Sequence, residues 1–195
     1  MSASTDATPA SNVLGTIGTV FWCIQLVPQI WYNWRRKKTE GLPPAMGFLW
    51  AICAVPMGVY LILQVNNIPQ FAVQIPYNKG ITWPDLLVGA IATVLLAGGM
   101  LPIYFELGKR QGRVIGINWV FLCIDTLGGL FSIFALVAQG SFDILGGVMY
   151  IVVVVLELGI YLSHIIWRIR FREARKEAKL SGRNVEDVLR MSSPA

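Results

Sequence analysis

Two acids lie where a chain rarely tolerates them. Asp125 falls within IGINWVFLCIDTLGGLFSIFALVA and Glu157 within ILGGVMYIVVVVLELGIYLSHIIW, stretches that are otherwise apolar. Ionisable side chains in such surroundings are functional candidates, because an unpaired charge in hydrocarbon is costly. No Lys or Arg lies in the interior of any long apolar stretch, so neither acid has a counter-ion at its own depth. Away from water the neutral carboxyl is favoured, which suits a group that takes up and releases a proton. His164 follows Glu157 by two helical turns on nearly the same face, and Asn118 and Trp119 precede Asp125, so all three could line one path. A second cluster lies in QLVPQIWYNWRRKKTEG, residues 25–41, where Gln25, Pro28 and Gln29 interrupt an apolar run that ends in four basic residues. Pro28 has no N–H to offer the carbonyl near Ile24. Freed carbonyls and amides at membrane depth are tolerated only against protein or a water-filled path. That combination reads as a hinge.

The elements that must hold these groups are membrane helices. The chain has 195 residues, 55% hydrophobic and only 14% charged, whereas a soluble domain carries about a quarter charged residues. Five mostly apolar stretches, Asn12–Trp34, Ala45–Val65, Leu86–Leu107, Ile115–Ala138 and Ile144–Trp167, can each cross a hydrocarbon core as a helix. The expected fold class is an all-α membrane protein of about five transmembrane helices. Residues 1–11 read as a polar tail without the features of a cleaved secretory signal. Three prolines and several polar residues make 66–84 a connection rather than a sixth span. The cysteines Cys23, Cys53 and Cys123 all lie inside spans and read as small packing residues.

Of 16 Lys and Arg, four lie at Arg35–Lys38, three at Lys109, Arg110 and Arg113, and eight follow Trp167. The positive-inside rule puts all three clusters in the cytosol and the N-terminus on the lumenal side. The basic tail, 168–195, is expected to form a short solvated helix facing the bilayer surface. The basic groups are divided by spans and form no continuous stripe, which argues against a nucleic-acid partner.

The sequence also repeats. A shift of 74 residues sets Ile17, Thr19, Val20 and Pro28 on Ile91, Thr93, Val94 and Pro102, and Arg35-Arg36 on Lys109-Arg110. A shift of 70 sets Cys53 on Cys123 and Gly58 on Gly128. Each copy is a proline-bearing helix, a basic loop and a second helix, the two copies facing the same way across the membrane. One copy spans 12–65 with two helices and the other 85–167 with three.

These motifs resemble the PQ-loop repeat family, which includes cystinosin and the vacuolar or lysosomal cationic amino acid transporters, with sugar transporters of the SWEET type as distant relatives. VPQIWYNWRRKKTEGL is similar to the family's first motif. LPIYFELGKRQGRVIGINWVFLCIDTLGGLFS is similar to the second through its Asp-x-x-Gly-Gly ending, although Pro102 is followed by Ile103 and not by glutamine. The family pattern has seven helices, two three-helix bundles and a linker. The shortfall here falls between Val65 and Trp83, leaving one bundle incomplete, and a homodimer would let two copies complete each other. The resemblance implies that Asp125 couples proton binding to substrate export and that Glu157 is an acidic position of the final helix. It implies hinges at Pro28-Gln29 and Pro102. The implied activity is proton-coupled export of an amino acid or similar small solute from an acidic vacuolar or lysosomal lumen to the cytosol, with no cofactor or metal. The competing reading is a receptor or scaffold, or a shortened variant that carries nothing. One histidine, no metal-ligand cluster and no nucleophile paired with a base at equal depth point away from an intramembrane enzyme.

Overall fold

The computed structural model describes residues 8–39, 42–64, 83–139 and 144–192. Among these the chain forms α1 (Pro9–Ile24), α2 (Leu26–Arg36), α3 (Pro44–Gln64), α4 (Trp83–Lys109), α5 (Trp119–Ala138), α6 (Ile144–Arg170), α7 (Arg172–Ser181) and α8 (Val185–Ser192), with no strand. The unit α1–α2 and the helices α4, α5 and α6 are long and apolar enough to cross a membrane, and α3 contributes a fifth apolar helix. The chain is an all-α membrane protein. The expected connection at 66–84 and the turn near Gly140 fall outside the described residues, apart from the start of α4.

Local sequence sets the helix ends. Thr8 caps α1 by accepting a hydrogen bond from the Ser11 N–H, with Pro9 at the first helical position, where its missing donor costs nothing. The break between α1 and α2 falls at Gln25, one turn before Pro28, where the proline leaves the Ile24 carbonyl without a partner. Pro102 produces no such break: α4 runs through it without interruption. The two copies of the repeat therefore differ in the first helix. The span expected from Ile115 begins only at Trp119, because Gly116 takes a left-handed backbone (φ 83°) and Asn118 caps the helix by accepting from the Val120 N–H. Asp125 accordingly lies only about 9 Å from the start of its helix, at 1.5 Å per residue.

The repeats interlock. The first-helix unit of copy one packs on α5, the second helix of copy two, and α3, the second helix of copy one, packs on α4, the first helix of copy two. α6 lies against both α4 and α5 and joins the two pairs. The Thr8 hydroxyl donates to the Ala138 carbonyl at 2.8 Å, so α1 starts where α5 ends. At the opposite end Arg36, Arg113, Arg168 and Arg175 border one pocket, so residues from all three basic clusters meet there.

Close approach between helices depends on glycine. A methyl group on Gly128 would occupy the place of the Trp22 indole, and one on Gly99 that of the Trp50 indole. Gly58, the repeat counterpart of Gly128, has open space around it among the described residues. Gly128→Ala should therefore lower stability by about 1–3 kcal/mol, the usual cost of overpacking, whereas Gly58→Ala should leave it unchanged. Thermal unfolding of the two purified variants checks the contrast, and equal midpoints would contradict the packing described.

Candidate functional site

The polar groups of the helical bundle fall into three layers between its centre and its basic end. The innermost is a cavity of about 220 Å³, bordered among others by Trp22, Gln25, Trp50, Cys53, Met100 and Asp125. Asp125 is 3% exposed. The Gln25 amide, oriented with its nitrogen toward the carboxylate, donates to both Asp125 oxygens, the longer bond being 3.2 Å. Gln25 lies at the junction of α1 and α2 with a helical backbone (φ −53°, ψ −39°), one turn before Pro28, and its side chain faces the acid. Glu157, on α6, is fully buried and has Asp125 and Thr126 as polar neighbours. Neither of its oxygens meets a donor among the described residues. A proton between the two carboxyls would let one donate to the other, which two buried carboxylates cannot do.

The indole N–H groups of Trp22 and Trp50 are also buried without an acceptor among the described residues. Both rings border the cavity, but the Nε1–Cδ1 edge of each lies against a glycine of the other copy, Trp22 on Gly128 and Trp50 on Gly99. A buried donor left unpaired costs about 1–3 kcal/mol, a cost that the close helix packing at these two glycines has to offset. Sequence reading had passed over both tryptophans. The available signal was position: Trp22 lies mid-span, whereas tryptophan favours the membrane interface.

The second layer is the Pro-Gln pair itself. Gln29 is 2% exposed. Its nitrogen donates to the Gly116 carbonyl at 2.9 Å and to Asn33 Oδ1 at 3.0 Å, while its oxygen accepts from the Asn118 N–H at 2.7 Å. Asn118 Nδ2 donates to the Pro28 carbonyl at 3.0 Å. Proline and glutamine thus fasten α2 to the cap of α5, where the Asn118 N–H and the Gly116 carbonyl have no partner within the helix. Pro102 has no part in such a fastening, and the residue after it, Ile103, is buried among apolar side chains.

The third layer holds His164. Its ring lies 4.8 Å from that of Trp119 and is stacked on Trp167 at 5.8 Å, and its Nδ1 accepts from the Val114 N–H at 3.4 Å. His164, Trp119 and Asn118 border a pocket of about 640 Å³ at the basic end, separate from the inner cavity. The structure thus brings Gln25, Asp125 and Glu157 together, places Pro28, Gln29 and Asn118 in a strap next to them, and sets His164 and Trp119 beyond it.

Comparison with known proteins identifies the family. The family profile described as PQ loop repeat matches residues 10–70. The uncharacterized membrane protein YDR090C of Saccharomyces cerevisiae is 41% identical over 213 residues, covering 84% of this chain and 68% of its own. The uncharacterized protein C2E12.03c of Schizosaccharomyces pombe is 28% identical over 224 residues, covering 86% of this chain and 78% of its own. No solved structure matches the chain. Of this chain's 195 residues, 84% is about 164, so the first alignment holds about 49 positions without a counterpart here. At about 20 residues per span that is the length of two membrane helices with their turns.

The strap can be tested by itself. Gln29→Glu keeps an acceptor for the Asn118 N–H but removes both donated bonds and places a carboxylate against the Gly116 carbonyl. It should lower the unfolding free energy by about 1–3 kcal/mol, as expected when buried groups lose their partners. Chemical or thermal unfolding against Asn33→Ala, which removes only one acceptor from the same amide, provides the check. A Gln29→Glu variant as stable as the native chain would dismiss the strap.

Proposed function

The chain belongs to the PQ-loop repeat family of membrane proteins, and from that premise we propose that it is a proton-coupled transporter exporting an amino acid or similar small solute from an acidic compartment, vacuolar or lysosomal, to the cytosol. One observation carries the reading: a buried carboxyl, Asp125, held by Gln25 at a central cavity. The carboxyl suits a proton or an ammonium group. Glu157, buried beside Asp125, gives the proton a second position. In this scheme protonation from the lumenal side neutralises the pair, the solute enters with it, and bending at Gln25 opens the path toward the basic end. The strap of Pro28, Gln29 and Asn118 lies between the cavity and that end, where a gate would have to act. The N-terminus is then lumenal and the C-terminal tail cytosolic.

Proteoliposomes containing the full chain test the reading. With an acidic interior and a panel of labelled amino acids, the native chain should release at least one solute faster than protein-free liposomes. Asp125→Asn, which keeps the size and loses the titratable group, should reduce gradient-driven release to background. Release that persists at the native rate in Asp125→Asn would remove Asp125 from the coupling. No release of any solute by well-folded native protein would favour the receptor or scaffold reading.

A further inference from the structure

The basic end holds a pocket separate from the inner cavity. Its volume is about 640 Å³, and Arg36, Arg113, Arg168 and Arg175 all border it, with His164 in its wall. These four come from four places in the chain: the end of α2, the loop after α4, the end of α6, and α7. No Asp or Glu is among its lining residues. Arg113 has one carboxylate partner, Glu186, at 3.1 Å. Arg36, Arg168 and Arg175 form no ion pair among the described residues; Arg36 bonds to the Tyr32 hydroxyl at 2.9 Å, and Arg175 lies over the Trp167 ring at 6.0 Å. The first turn of α5 also borders the pocket and contains no acid, so its end adds partial positive charge.

Gathering four guanidinium groups around one pocket with a single counter-ion is unfavourable unless an anion neutralises them. An orientation signal requires only that basic residues lie near the membrane surface on one side; it does not require them to converge. A chloride or a single carboxylate would engage one or two of the four. Guanidinium forks match phosphate oxygens in pairs, and the charge and volume suit an anion with more than one phosphate, or a phosphate on a polar ring. Tyr32, Trp119 and Trp167 provide flat walls for such a ring. We propose that this pocket binds a multiply charged phosphate ester, either a soluble one or the headgroup of a phosphorylated inositol lipid.

The bound anion would do more than neutralise charge. Arg36 follows the Pro28-Gln29 strap on α2, Arg113 precedes its partner Gly116, and Arg175 belongs to the tail helix α7. An anion joined to all three ties the tail to both motif loops and holds the strap shut. Occupancy of the pocket thereby stabilises the closed basic end. The binding claim is independent of which solute, if any, passes through the inner cavity.

The test is ligand-dependent thermal unfolding of the purified full chain, since a ligand that binds only the folded form raises the midpoint by mass action. Inositol 1,4,5-trisphosphate is titrated against the chain in phosphatidylcholine nanodiscs, with sodium chloride at matched ionic strength as the control for screening. A parallel series uses nanodiscs containing phosphatidylinositol 4-phosphate. The native chain should show a saturable rise of several degrees with one of these probes and none with matched chloride. Arg36→Gln/Arg175→Gln should lose that rise while keeping the ligand-free midpoint, since Arg36 is exposed, Arg175 is half-buried, and neither forms an ion pair among the described residues. A rise with the soluble probe that the lipid series does not match identifies a cytosolic ester as the ligand class, and a rise in the lipid series, with or without one from the soluble probe, identifies the headgroup. If the double variant is itself unstable, Arg168→Lys, which retains charge but not the fork, should weaken the apparent affinity at an unchanged plateau. No rise with either probe, or an equal rise in the variants and the native chain, overturns the proposal.

Discussion

Backbone and side-chain polar groups in a bilayer must find partners inside the protein, and in this chain that requirement converges on Gln29. The amide is almost inaccessible, accepts from the Asn118 N–H and donates to the Gly116 carbonyl, and so satisfies two backbone groups where α5 begins. Asn118 completes the connection by donating to the Pro28 carbonyl and capping α5. The first copy of the repeat thereby holds the second in register at one end. Thr8, bonded to the Ala138 carbonyl, does the same at the other end of α5.

With the register of α1–α2 against α5 held at both ends, the central cavity follows. Gln25 faces Asp125 one turn before Pro28, and Trp22 lies against Gly128 because no side chain blocks it. The same exchange between copies sets Trp50 against Gly99. Both tryptophans come from copy one and both glycines from copy two, so the cavity between the copies is asymmetric although the fold repeats. The asymmetry extends to the chemistry: Asp125 has Val55 as its repeat counterpart, and Pro102 has neither a following glutamine nor a helix break.

The same constraint explains why polarity is layered along the bundle. The deepest groups are carboxyls that can be neutral, next comes a fully bonded amide strap, and last, where water and headgroups begin, come arginine, histidine and tryptophan. A solute moving outward along this gradient would meet progressively more charge.

Much of this was legible in the residues themselves. Hydrocarbon thickness sets the length of an apolar helix, so five stretches of suitable length were visible in the composition, and the spacing of proline and basic pairs exposed the repeat. Pro28 was readable as a break because the loss of an N–H is a local property of the chain. The partners across the repeats were not readable, because they depend on which faces of distant helices meet. Only the tertiary structure decided that α1 packs on α5 and α3 on α4, so that Gln25 rather than Gln29 reaches Asp125. It also decided that Gln29 is a fastening and that Trp22 and Trp50 pack on glycines of the other copy. Arginines from three separate basic clusters meet at one pocket for the same reason: contacts between residues a hundred positions apart are fixed by helix packing, and packing leaves no periodic trace in the sequence.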